Sequence, residues 1–251
     1  MCARPETSIH VGTSGWTYDD WSARFYPPEV RGSDRLAFYC REFDTVEVNA
    51  TFYRLPTEAM VGAWNRTLTR RFHLVVKGSR LVTHVKKLAD CSEPLEVFWG
   101  RARQLRSLRA ILWQLPPSLS KDVQRLERFL SHLPGRETVR HAVEFRHPSW
   151  WDEEVAGVLE RHAAASVAVS HPDLPDAIRP TADFLYVRFH GLGKQLYRYD
   201  YSEKELRRWA DRLAPHLRGR ALYAFFNNDY EAKAPRNAAT FREMLEESAG
   251  R

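Results

Sequence analysis

Apolar positions along the chain alternate between two rhythms. Short β-branched or aromatic runs at 9–13, 45–48, 72–77, 110–114, 141–145, 166–170, 184–189 and 222–226 read as eight strands. Amphipathic patterns of helical period lie between most of them. They cover 34–43, 57–67 with Thr57 as N-cap, and 120–133, where Val123, Leu126, Phe129, Leu130 and Leu133 form one stripe. Another covers 151–162, beginning near Asp152. Ser202 and Glu205 have the spacing of a capping box that opens a helix over 203–213. Pro235 starts a last helix, with Ala239, Phe241 and Leu245 as its buried positions. Eight strands alternating with helices predict an α/β protein, a single (β/α)8 TIM-like barrel occupying 1–251. The link 171–183 carries Pro172, Pro175 and Pro180 and is too interrupted for a full helix between the sixth and seventh strands. An open doubly wound sheet is the alternative; the count of eight favours closure.

In a closed barrel, alternate strand residues point inward, and the inward set at the C-terminal ends forms the mouth. The valines of the second strand suit the helix side, which turns Glu47, Asn49 and Thr51 inward. On the third strand Phe72, Leu74 and Val76 face out, and His73, Val75 and Lys77 face in, with Lys77 neighbouring Glu47 or Asn49. Gln114 ends the fourth. On the fifth, Val143 and Phe145 leave Ala142, Glu144 and Arg146 inward. On the seventh, Leu185, Val187 and Phe189 leave Tyr186, Arg188 and His190. The eighth ends in Asn227, Asn228 and Asp229. Charged side chains converging there must pair with one another or with a ligand, because an isolated buried charge is costly.

Composition narrows the class. The chain has 251 residues, 43% hydrophobic and 28% charged, which excludes a disordered or collagen-like polymer. No apolar run exceeds the six residues 221–226, so no membrane span is expected. The first eight residues show no basic region followed by an apolar one, so the expected location is the cytoplasm. Cys2, Cys40 and Cys91 are odd in number and widely spaced, and are expected to be reduced thiols, two of them buried.

The net charge of +6 is unevenly spread. Residues 59–121 hold twelve basic residues against Asp90, Glu93 and Glu96, a local excess of nine. Such a field favours anionic partners. Arg101 to Arg109 also fit the outward face of a helix, which would need no partner.

Several stretches carry a family resemblance. These are Gly12-Thr13-Ser14-Gly15-Trp16 with Phe25-Tyr26-Pro27-Pro28, and the long run Phe43-Asp44-Thr45-Val46-Glu47-Val48-Asn49-Ala50-Thr51-Phe52-Tyr53-Arg54-Leu55-Pro56. Thr83-His84, Gln114-Leu115-Pro116-Pro117, Glu144-Phe145-Arg146-His147-Pro148-Ser149-Trp150, Val187-Arg188-Phe189-His190-Gly191 and Phe226-Asn227-Asn228-Asp229 follow in order. Together they resemble the domain of unknown function 72 family over nearly the whole chain. The resemblance implies a TIM-like barrel and supplies no activity.

The residues themselves suggest an enzyme acting on a phosphate-bearing substrate, a small molecule or a nucleic acid. Glu144 would be the general acid or base, His190 a second proton-transfer group and Lys77 a neutraliser of developing charge. Glu47, Asn49, Tyr53, Gln114, Arg146, Arg188, Asn227, Asn228 and Asp229 would bind substrate. Gly191, Gly193 and Lys194, in the loop after the seventh strand, would add backbone N–H groups and a charge for phosphate. Loop aromatics such as Tyr53, Tyr197, Tyr199 and Tyr201 would stack bases or sugars. No cofactor is expected; if a single divalent ion binds, Glu144, His190 and Asp229 would hold it. H-x-x-H, H-E-x-x-H and G-x-S-x-G are absent. Two alternatives stay open: a non-catalytic nucleic-acid binder using 59–121, and a metal-dependent sugar isomerase or epimerase.

Overall fold

The computed structural model of the protein describes residues 7–249; Cys2 lies outside them. The strands are β1 (Ser8–Thr13), β2 (Thr45–Val48), β3 (His73–Lys77), β4 (Leu108–Gln114), β5 (Arg140–Glu144), β6 (Ala165–Ser170), β7 (Phe184–Phe189) and β8 (Ala221–Phe226). The helices are α1 (Arg35–Glu42), α2 (Ala50–Tyr53), α3 (Glu58–Thr67), α4 (Ser92–Ala102), α5 (Val123–Ser131), α6 (Glu153–Arg161), α7 (Glu203–Leu217) and α8 (Lys233–Ala249). All eight strands are parallel, in the order β1-β8-β7-β6-β5-β4-β3-β2. This is an α/β TIM-like barrel. The chain runs from β6 to β7 through turns, without a helix.

The circle closes between β1 and β2 by a different device. The two strands meet in one bridge, Ser14 to Glu47, in place of a ladder. The Tyr39 hydroxyl fills the seam: it accepts from the Thr13 N–H at 2.9 Å and donates to the Thr45 carbonyl at 3.1 Å. Backbone groups that would lack a strand partner are thereby satisfied.

Strand alternation separates two cores. Leu74, Val76, Val143, Leu185, Val187, Leu222 and Phe226 pack against the helices. Val75, Leu112, Ala142, Val167, Tyr186, Tyr223 and Phe225 fill the barrel. Beneath them, at the N-terminal end, His10 stacks on His73 at 3.7 Å between centroids, and Tyr223 meets His73 Nδ1 at 2.8 Å.

Local signals explain the helix starts. Thr57, Asp122 and Asp152 each accept a backbone N–H at an N-cap, and Ser202 and Glu205 form the reciprocal capping box. Pro235 does not begin the last helix; it sits in the first turn of α8, where a missing N–H costs nothing. Ala238 is buried there, with Ala239 only half-buried. The helix expected under Arg101 to Arg109 lies earlier, as α4; Arg109 belongs to β4. Cys91 is buried and Cys40 half-buried, both free thiols. No described helix is long and apolar enough to cross a membrane.

Candidate functional site

Strands β2, β5 and β7 deliver charged inward side chains to one rim, and these pair. Glu47 on β2, Glu144 on β5 and Arg188 on β7 are at most 1% exposed. Arg188 Nη1 donates to Glu144 at 2.6 Å and Nη2 to Glu47 at 2.6 Å. Ser14 Oγ and Tyr186 Oη also donate to Glu47, each at 2.6 Å. Arg146, just past β5, donates its Nε to Glu144, and its Nη2 lies 2.8 Å from His190 Nε2. Asn227 faces His190 Nδ1 at 3.2 Å. Two carboxylates and two guanidiniums therefore form a buried network with no net charge.

The electrostatics follow from this pairing. Burial works against charge on Glu144, but Arg146, Arg188 and His190 outweigh it and hold the carboxyl well below the usual range. Burial, reinforced by the two arginines, pushes His190 down to about 3. Burial also opposes the Arg188 charge, and Glu144 and Glu47 more than restore it. An ionised Glu144 clasped by two guanidiniums has no proton to give, and a neutral His190 already occupied at both nitrogens has little freedom to move one. The acid/base roles expected of these two residues do not suit their surroundings.

Above the network opens a cavity of about 340 Å³. Arg146 and Arg188 form part of its floor; Asn49, Gln114 and Asn227 supply amides, and Tyr53 and Tyr197 stand at the edge, 77% and 50% exposed. Asn49 Oδ1 is buried without a hydrogen-bond partner among the described residues. It is the N-cap residue of α2 but its side chain makes no capping bond, which leaves it for the cavity. Strand β2 ends at Val48, so Thr51 is helical: its hydroxyl ties to the Val48 and Lys77 carbonyls at 2.9 and 2.7 Å, and it does not face the mouth. A neighbouring hollow of about 560 Å³ shares Gln114, Arg146 and Tyr197 and adds His147 and His171.

Lys77 and Asp229 complete the cavity wall. Lys77 Nζ lies 4.3 Å from the Phe52 ring centroid, and among the described residues no carboxylate reaches ion-pair distance of it. Burial, with Arg188 next, lowers its pKa to about 8. Burial raises the Asp229 carboxyl, whose oxygens make no salt bridge among the described residues. Tyr18, absent from the expected site, also lines the cavity. Its hydroxyl donates to the Ser14 carbonyl at 2.5 Å, and burial raises its pKa. It sits in a loop without periodicity; only its place among the aromatics after β1 hinted at it.

Several expected ligands lie elsewhere. Asn228 is fully buried, donating to the Tyr199 carbonyl and Asn237, so it braces a loop. Gly191 has φ +101°, and its N–H goes to the Tyr201 hydroxyl at 2.8 Å, leaving nothing for an anion. A Cβ there would lie 2.1 Å from the Leu196 carbonyl. Gly191→Ala is expected to lower stability by more than about 1 kcal/mol in urea denaturation, whereas an unchanged midpoint would mean that the loop relaxes freely. Gly193 and Lys194 are outside both mouth cavities.

The metal set also fails to assemble. Glu144 and His190 come within 3.3 Å, but Arg146 bonds to both, placing a guanidinium where a cation would sit. No group of three or more His, Cys, Asp or Glu side chains suited to a metal occurs among the described residues. The basic stretch 59–121 does not form one face. Lys77 ends β3 and Arg80, Lys86 and Lys87 follow it, on the C-terminal side, whereas Arg70, Arg71, Arg103, Arg106 and Arg109 precede or begin strands at the opposite end. A cleft of about 710 Å³ at that end is lined by Arg109, Arg136, Arg140 and His162. It is larger, but barrels of this kind carry their chemistry at the mouth.

A family model described as protein of unknown function DUF72 matches residues 10–251. The chain is similar to a DUF72 family protein of Thermotoga maritima MSB8 of known structure, with a TM-score of 0.84 and 33% identity over 95% of this chain and 99% of that one. It is 24% identical to the UPF0759 protein YunF of Bacillus subtilis (strain 168), over 95% of each chain. It is also 30% identical to the UPF0759 protein YecE of Escherichia coli (strain K12), over 57% of this chain and 50% of that protein.

Proposed function

The chain belongs to the DUF72 family, whose description leaves the activity open, and we propose from its barrel mouth that it is an enzyme acting on a phosphate-bearing small molecule by proton transfer. One observation carries this reading: Lys77 is a half-buried amine that opens on the cavity with no carboxylate partner among the described residues. The four charges behind it cancel, so an anion entering the cavity meets the Lys77 amine and the dipoles of Asn49, Gln114 and Asn227, with the Asp229 carboxyl on the same wall. Arg146 and Arg188 steady that arrangement from the floor. Tyr53 and Tyr197, exposed at the edge, suit the flat face of a sugar or a base.

Proton transfer falls to different residues than the strand pattern suggests. Asp229, whose carboxyl pKa is raised by burial, faces the cavity without an ion pair among the described residues and is the first proton-transfer group. Lys77 is the second. Glu144 and His190 hold the guanidiniums in place.

Calorimetric titration with a panel of sugar and nucleoside monophosphates tests the reading. At least one is expected to bind, and Lys77→Met is expected to weaken it about 10- to 150-fold, the worth of a hydrogen bond to a charged group. If no phosphate ester binds, or if Lys77→Met binds equally well, the proposal is withdrawn.

A further inference from the structure

Lys77 and Asp229 are placed for more than holding charge. The other charged groups on the cavity are accounted for: Arg188 is clasped by Glu47 and Glu144, and Arg146 by Glu144; the Tyr18 hydroxyl is spent on Ser14. Lys77 and Asp229 alone among these face the same 340 Å³ space with neither an ion pair nor, for the amine, a hydrogen bond among the described residues. Carboxylate partners would keep a lysine protonated and fixed; here Phe52 packs under the amine instead.

We infer that Lys77 is a nucleophile that forms an imine with the carbonyl group of an anionic substrate, a phosphorylated sugar or a 2-oxo acid. This rests on the anion-binding reading of the same cavity. The nitrogen lone pair attacks the carbonyl carbon, a C–N bond forms, and the carbonyl π pair moves to oxygen. Proton transfer from nitrogen to that oxygen gives a neutral carbinolamine. Asp229, carrying the proton it took from the Lys77 ammonium before the attack, protonates the hydroxyl. The C–O bond breaks, one water leaves, and the iminium cation remains beside the Asp229 carboxylate. Nothing is oxidised or reduced, and no further reactant is needed.

The surroundings favour the step. A lysine in a desolvated site next to guanidiniums keeps more of its free-amine form, the state that attacks. At neutral pH that form is on the order of a hundredfold more abundant than for an ordinary lysine. The substrate's phosphate or carboxylate would take the cavity amides and Arg146, leaving its carbonyl for Lys77.

Borohydride trapping tests this on the intact protein. The protein is incubated with dihydroxyacetone phosphate or with pyruvate, reduced with sodium borohydride, digested and mapped by mass spectrometry. A reduced adduct is expected at Lys77 far in excess of Lys86 and Lys87, with one of the two probes favoured, which identifies the anionic group. Lys77→Arg, which keeps the charge, is expected to abolish the adduct, and Asp229→Asn to slow its formation at least tenfold. Glycerol 3-phosphate, which has no carbonyl, is expected to bind and to protect Lys77. If glycerol 3-phosphate binds but neither probe is trapped, or trapping is no greater at Lys77 than at Lys86 and Lys87, the imine is overturned and the anion site stands. If glycerol 3-phosphate, dihydroxyacetone phosphate and pyruvate all fail to bind, the anion site itself falls. Equal trapping of uncharged acetaldehyde would overturn the assigned substrate class.

Discussion

Replacing Arg188 with leucine is expected to cost about 3–5 kcal/mol of stability, the penalty for breaking a buried ion pair from one side. Among the described residues Arg188 alone bonds to both Glu47 and Glu144, and all three are shut from water. Its loss leaves Glu47 with two hydroxyl donors and no cation. Lysine at 188 would recover little, because the fork that puts Nη1 on Glu144 and Nη2 on Glu47 becomes a single nitrogen. The double variant Arg188→Met with Glu47→Gln is expected to recover much of the loss. Glu144 then still has Arg146, and the buried charge returns to zero. Urea denaturation of the three variants measures the effect. A loss under about 1 kcal/mol for Arg188→Leu, an ordinary surface value, would show that the network is hydrated and not buried.

Acid should unfold this protein from an unusually high pH. His190 is held down to about 3 and His141 to about 4, in both cases chiefly by burial, and both are enclosed. In the unfolded chain an imidazole takes up its proton near 6.5. Between those limits the unfolded state binds more protons, so stability is complete above about pH 7 and drains away as the pH falls through 6 toward 4. At pH 5 each of the two imidazoles removes about 2 kcal/mol relative to pH 8. Glu144 adds a further loss below about pH 4, where the unfolded carboxyl is protonated and the folded one is not. Thermal melts across pH 8 to 4 read the slope. His190→Gln should flatten it between pH 6.5 and 5. Identical slopes for native protein and His190→Gln would mean that His190 is protonated in the folded state.

Much of the barrel was legible before any coordinates. The eight runs are found within two residues of their predicted limits, because a parallel strand buried on both faces must be apolar and β-branched. Caps at Thr57, Asp152 and Ser202 were legible for a similar reason: they act within four residues. Reading stopped where the strands stop. Asn227, Asn228 and Asp229 are consecutive, yet the turn sends Asn228 inward to Asn237 and leaves its neighbours on the cavity. Asn49 and Thr51 were extrapolated from the parity of β2, and the chain turns helical between them. The basic stretch 59–121 looked like one patch because sequence distance hides that each βα unit carries the chain from one end of the barrel to the other.

What the amino-acid order determined by itself is the count of strands and, through their two-residue alternation, which side chains face inward; both follow from local geometry. Only the folded chain decided which charges cancel. Glu47 meets Arg188 across the barrel at a separation of 141 residues, and that contact depends on ring closure and dryness, which no local pattern encodes. Once those pairs are made, Lys77 and Asp229 are left over, and a leftover is a property of the whole arrangement.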